Sequence, residues 1–289
     1  MLITINVANM QKLLVRVLSK LRLLDYFNFQ ISHSDKGKTV VIPIIKSLGK
    51  ENLSLTELWM SEVIYKLLKI KKGTFIDVGV NVGQTLIKLK LINREIAYLG
   101  FDPNPVCIFY TRELIRSNRF SNTDLVPVGI SDSDQIATLY FYSDGNSDSS
   151  ASIVKDFRPQ TIFRREFVPC FGGDGIRPLL ENQAISIIKI DVEGAESMVL
   201  KGIKEVVADQ RPFILIEILP VYSVENKERM LRQNEIENLM KSLEYKLLRI
   251  RKSNEEFDGF TILPEIGINT RIEDSDYLLC PAELVSLIS

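Results

Sequence analysis

Ser186-Ile187-Ile188-Lys189-Ile190-Asp191-Val192-Glu193-Gly194-Ala195-Glu196 places three acids within six residues, directly after a run of apolar, β-branched residues. A strand that ends in acids and passes through glycine into a helix puts those acids at the carboxyl edge of a sheet, where open α/β sheets bind ligands. Glu217 closes a second such run, Ile214-Leu215-Ile216-Glu217. Carboxylates crowded in this way repel one another. The offset is a protonated member, a helix N-terminus, Lys189, a divalent cation or a cationic ligand. Such groups can take a proton from a reacting hydroxyl or orient it, so Asp191, Glu193 and Glu217 are the candidate catalytic residues. A structural reading stands beside this one, with Asp191 as a helix N-cap and Glu193 and Glu196 in the first turn.

Upstream, Thr74-Phe75-Ile76-Asp77-Val78-Gly79-Val80-Asn81-Val82-Gly83-Gln84 runs from an apolar strand through a glycine turn toward a helix. Glycines there let a ligand approach the backbone, and the helix offers N–H groups. The spacing is Gly-x-x-x-Gly, without the Gly-x-Gly-x-x-Gly of dinucleotide sites or the Gly-Lys-Ser/Thr of a phosphate loop, which disfavours pyrophosphate. Asp102, in Phe101-Asp102-Pro103-Asn104-Pro105, follows the next apolar run at the separation where ribose-binding acids lie. It serves either a ribose or the cap of a helix beginning near Pro105.

The remaining composition narrows the chemistry. His33 is the single histidine and sits in the polar run Ser32-His33-Ser34-Asp35, so histidine triads and multi-histidine metal sites are excluded. Cys107, Cys170 and Cys280 are far apart and odd in number, unlike a zinc site or a disulfide scaffold, which suggests a reducing, cytoplasmic setting. Lys plus Arg, 36, balances Asp plus Glu, 37, so nucleic acid is not an expected partner. No apolar run approaches the roughly 18–20 residues of a membrane span.

These residues need a scaffold, and the alternation along the chain supplies one. Thr74–Val78, Ile96–Phe101, Leu125–Ile130, Ile185–Ile190 and Phe213–Leu219 read as strands, with helices over Leu55–Leu68, Thr85–Leu91, Val106–Ser117 and Ala195–Val207. Such alternation predicts an α/β fold, a doubly wound and mostly parallel sheet holding a nucleoside-like ligand. Ile136–Tyr142 reads as an antiparallel addition, and Val40–Ile45 as an edge element after an irregular stretch ending near Lys38. Ser143–Ser152 is either a solvated linker or a substrate lid. Met10–Leu24 has amphipathic helical spacing with interspersed Lys and Arg, suited to docking on the domain or on a second subunit as a homodimer, or to lying weakly on an anionic membrane.

The three motifs together, over about Leu55 to Pro220, resemble the FkbM family of S-adenosylmethionine-dependent methyltransferases. Asp77 to Gly83 is similar to that family's cofactor loop, and Lys189 to Glu196 to its most distinctive signature. Phe101 to Pro105 resembles its Glu-Pro-x-Pro, with Asp for Glu. Ser131-Asp132 also matches and by analogy faces the adenine. Val168 to Asp174 departs from the family, because Gly172-Gly173 replace a Thr-Leu-Asp run, and no role is assigned to Asp174. The resemblance implies a Rossmann-like class I methyltransferase with a seven-stranded sheet over residues 54–289 and an N-terminal helical extension over residues 1–53. It implies S-adenosylmethionine held by Asp77, Gly79, Asn81, Gly83, Asp102, Ser131, Asp132 and Asp191, and a hydroxyl acceptor on a sugar, glycan or natural product. A divalent metal could sit on the acids, but spacing alone assigns no ligands. The rival readings are a cofactor-binding module without turnover and another nucleotide-dependent enzyme.

Overall fold

The computed structural model describes residues 15, 17–18, 20, 23–35, 37–145, 147–155 and 157–288. Its first regular unit is an antiparallel hairpin of β1 (Asn28–Asp35) and β2 (Lys38–Ile45). This replaces the irregular stretch expected before Lys38. Val40, Ile42 and Ile44 alternate along β2 and are buried, while β1 contributes Ile31 and carries mostly polar residues at its other positions. That scarcity of apolar side chains hid β1 from a hydrophobicity reading. Of the helix expected over Met10–Leu24, the described positions Val15, Val17, Leu18 and Lys20 are helical, and Val15 is buried in the same core as the hairpin. Leu24 already belongs to a 3-10 turn, Leu24–Tyr26, and positions 10–14, 16, 19, 21 and 22 lie outside the described residues.

The main body then runs α1 (Leu58–Ile70), β3 (Thr74–Val78), α2 (Gln84–Ile92), β4 (Tyr98–Phe101), α3 (Pro105–Asn118) and β5 (Thr123–Val126). A second, smaller sheet follows, built from β6 (Gly129–Ile130), β7 (Gln135–Phe141) and β8 (Arg164–Phe171). After the one-turn helix α4 (Arg177–Leu180) come β9 (Ile185–Ile190), α5 (Glu196–Gly202), α6 (Lys204–Gln210) and β10 (Phe213–Glu217). The chain ends with α7 (Lys227–Ser242), β11 (Tyr245–Ser253), β12 (Glu256–Leu263), β13 (Asp276–Pro281) and α8 (Val285–Ile288).

The large sheet has the order β12-β11-β13-β10-β9-β3-β4-β5. Strands β5, β4, β3, β9 and β10 are parallel, and β13 enters antiparallel between β10 and β11. Every residue of β3 and β9 is buried, as both-sided helical cover requires. One apolar core joins α1, α2, α3 and the hairpin to one face, and the other lies under α5, α6 and α7.

Four expectations change. The sheet has eight strands where seven were expected, because Asn254 and Glu255 both take positive φ, +47° and +70°, and turn β12 back onto β11. The run Leu125–Ile130 is not one strand. It divides around Pro127, which lacks an N–H for the ladder, into β5 of the large sheet and β6 of the small one. Ile136–Tyr142 is correspondingly not an addition to the large sheet but β7, paired antiparallel with β8. The helix over Ala195–Val207 is interrupted at Ile203 into α5 and α6. Among the described residues no helix is long and apolar enough to cross a membrane.

Candidate active site

The carboxyl ends of β3, β4, β9 and β10 converge on a cavity of about 280 Å³. From β3 come Gly79 and Asn81, both at positive φ, +93° and +48°. A Cβ on Gly79 would stand 1.9 Å from the backbone oxygen of Asp191, so only glycine lets the β3 and β9 loops meet. From β4 comes Asp102, whose carboxylate accepts the backbone N–H of Asn81 at 2.7 Å and of Asn104 at 2.8 Å. Burial pushes Asp102 up to about 6 despite those two hydrogen bonds. The cap of α3 is Asn104, whose side chain accepts from the Val106 N–H. Asp102 is thereby released from the capping role, and each of its oxygens keeps a second acceptor position.

The acids gather on the other wall. Lys189 Nζ lies 3.0 Å from Asp191 Oδ2. Burial alone would raise Asp191, but the Lys189 ammonium and its hydrogen bond hold the carboxyl below its ordinary value. Glu217 moves the opposite way: burial first, then the charges of Asp191, Asp276 and Glu193, push it up to about 9. It is therefore protonated at neutral pH, hydrogen-bonds Asp191 and meets Ser275 Oγ at 3.1 Å. The repulsion posed by the sequence is thus relieved by Lys189 and by a proton on Glu217. Glu193 adopts a left-handed backbone, φ +54°, uncommon for a residue with a side chain, and pairs with Arg158. Burial and the Asp191 charge raise Glu193 to about 7 against that pairing.

The N-cap reading of Asp191 does not hold, because α5 begins at Glu196 and Ala195 occupies the cap position. Glu196 is buried and accepts the Gly194 N–H at 2.9 Å, shaping the loop from behind. Among the described residues no group of three or more metal-ligating side chains is arranged to hold an ion.

Four residues expected at the cofactor are not on the cavity wall. Asp77 is fully buried within β3 and accepts from Tyr98 Oη at 2.7 Å. Gly83 opens α2 with a Cβ position 2.9 Å from Leu114 Cδ2, so it serves packing against α3. Ser131 is fully buried and bonded to Gln135 Nε2, and Asp132 is exposed. Gly129 and Ile130, two and one positions earlier, line the cavity instead. Conversely, Glu57, Cys107 and Leu139 line it and were not anticipated, while Asp148 and Ser149 bring in the Ser143–Ser152 stretch read as a linker or a lid. Glu57, which pairs with Lys88 at 2.8 Å, lies ahead of α1 with no motif around it. Asp148 did carry a signal: an Asp two residues before Ser150 in a polar run forms a local turn. Its carboxylate accepts the N–H groups of Tyr142, Ser143 and Ser150, and Ser152 Oγ donates to the Glu193 carbonyl at 2.6 Å. The described part of Ser143–Ser152 is therefore tied down at the cavity and is no free linker.

Strand order, the antiparallel insertion of β13 and a ligand cavity at the carboxyl edge define a class I methyltransferase fold. The sequence matches the methyltransferase FkbM domain over residues 77–247, and the chain belongs to the FkbM methyltransferase family. Among solved structures it is similar to the methyltransferase FkbM from Methylobacillus flagellatus KT, at 15% identity and a TM-score of 0.46 over 72% of this chain. The chain spans 43% of that protein's length. It is also similar to an S-adenosylhomocysteine-bound methyltransferase of Podospora anserina, at 11% identity and a TM-score of 0.41, covering 77% of this chain and 76% of that one. A third is the precorrin-6y C5,15-methyltransferase of Geobacter metallireducens GS-15, at 10% identity and a TM-score of 0.35, covering 76% and 86%. Among the curated proteins none matches.

Proposed function

We propose that the chain transfers a methyl group from S-adenosylmethionine to a hydroxyl oxygen of a sugar, glycan or natural product. The observation that carries this reading is the sharing of one cavity by Asp102 and the Asp191–Glu217 carboxyl pair, with Lys189 behind Asp191. The cradle suits the cofactor: Gly79 leaves the β3–β9 junction without a side chain, and Asp102 keeps acceptor positions of the kind a ribose diol fills. Gly79, Asn81 and Asp102 would hold it, with Cys107 and Ile130 beside them.

When bound, S-adenosylmethionine supplies an electrophilic methyl group on a positively charged sulfur. As the acceptor oxygen bonds to that carbon, the carbon–sulfur bond would break to leave a neutral thioether, and the acceptor hydroxyl would shed its proton. Asp191 is ionised beside Lys189 and takes that proton. Glu217, protonated at neutral pH, donates a hydrogen bond to Asp191 and fixes the plane of its carboxylate. Glu193, braced by Arg158, orients the acceptor from the loop between β9 and α5. Positioning supplies most of the rate in a displacement of this type, so a rigid acid wall serves it.

A labelled-methyl transfer assay against a panel of glycans and cell-extract small molecules tests the reading. Incorporation is expected, and S-adenosylmethionine raises the melting temperature where NAD does not. Cofactor binding with no transfer to any member of the panel would point to a module without turnover.

A further inference from the structure

Lys189 stands opposite Asp77 in the register of the parallel β3–β9 pair. It is 7% exposed, and its Nζ lies 3.0 Å from Asp191 Oδ2 and 3.9 Å from Asp77 Oδ1. The longer separation exceeds hydrogen-bonding range. Asp77 Oδ1 has no hydrogen-bond partner among the described residues, although the side chain is wholly buried. The ammonium is thus committed to the carboxylate on the cavity wall, and Asp77 balances its charge from behind.

We propose that Lys189 is a positioning residue for methyl transfer, with Asp77 as its rear counter-charge: the wedged ammonium holds the Asp191 carboxylate as the charged, fixed acceptor of the hydroxyl proton. This rests on the methyl-transfer reading above. The neighbouring charged groups leave the task to Lys189. Glu217 on β10 hydrogen-bonds Asp191 but carries no positive charge. Arg158 is engaged by Glu193, Lys252 by Asp276 of β13, and Lys88 of α2 by Glu57. Asp102 is held by two backbone amides, and the Tyr98 hydroxyl of β4 is given to Asp77. Among the described residues Lys189 is the one cation within ion-pair distance of Asp191. It also accounts for a lysine next to the carboxyl end of a buried strand whose other residues are Ile and Ser.

The test is a carbon-13 titration of aspartate-labelled protein without ligand, with the Asp191 signal assigned by its loss in Asp191→Asn. In Lys189→Met the Asp191 midpoint is expected to rise by about 1–3 pH units, the range an adjacent opposite charge provides. The acid limb of the kcat/KM profile should shift with it, the loss reaching about tenfold per unit at pH values below both midpoints and vanishing above them. Lys189→Arg, which keeps the charge, should retain the wild-type profile. An unmoved Asp191 midpoint overturns the proposal, and so does an equal loss at every pH in both variants. If Lys189→Met does not fold, Lys189→Met with Asp77→Asn, which removes both buried charges, is titrated in its place. The titration needs neither cofactor nor acceptor. A wild-type protein that transfers no methyl group would therefore sink the activity while leaving the Lys189–Asp191 contact separately tested.

Discussion

Asp102 accepts two backbone amide hydrogens at once, so replacing it changes both the wall and the loops that form it. Asp102→Asn puts an amide NH₂ against one of those N–H groups and is expected to weaken S-adenosylmethionine binding at least about tenfold, the scale of one lost charge-assisted hydrogen bond. Calorimetry measures this directly. Glu217→Gln keeps a hydrogen-bond donor toward Asp191 and should retain most of the activity at pH 7, whereas Glu217→Ala should lower kcat with little change in cofactor affinity. Residues with a motif around them, Gly79, Asn81, Asp102, Asp191, Glu193 and Glu217, were placed on this wall by sequence alone. Asp77 and Ser131 show the limit of that method. Spacing gives a residue's distance along the chain, but the alternation of strand side chains turned Asp77 inward to Tyr98, and the departure into the small sheet buried Ser131.

At the scale of elements, the strands that carry chemistry were legible because they are buried on both faces and read as unbroken apolar runs. β1, β8, β11, β12 and β13 were not: β1 carries only Phe29 and Ile31 among polar residues, and the other four lie outside the three motifs, with charged residues among the apolar ones of β8, β11 and β12. The hairpin is instead secured from outside. The Asn118 side chain accepts from the Val41 N–H and donates to the carbonyls of Val41 and Leu114, pinning β2 to the end of α3. Asn118→Ala strands these partners, and urea unfolding should show a loss of about 2–3 kcal/mol. Gly79→Ala combines a positive φ with a backbone collision at Asp191. A cost of about 1–3 kcal/mol is expected, with cofactor binding lost even where the fold survives.

Among the described residues six carboxyls sit above their unfolded values, each raised first by burial: Asp102 up to about 6, Glu193 and Glu196 up to about 7, Glu217 up to about 9, and Asp77 and Asp276 in the same direction. A group with a raised value binds its proton more tightly when folded. Its contribution is complete below the unfolded value and fades as pH climbs through the folded one. Asp191 and Asp148, held low by Lys189 and by local hydrogen bonds in spite of burial, behave oppositely and lose their contribution only as pH falls through the carboxylate range. The melting temperature of the ligand-free protein should therefore decline from pH 5 to pH 8, and less steeply in Glu217→Gln. Thermal scans across buffers check this.

β13, near the end of the described chain, is inserted between β10 and β11 and supplies hydrogen bonds to both. Until the ribosome has released that segment, two strands in the interior of the sheet present raw ladders to any passing chain. Birth of this protein thus includes an interval of vulnerability that closes only once β13 has emerged, and a nascent chain stalled before Asp276 should partition to chaperones or to the pellet.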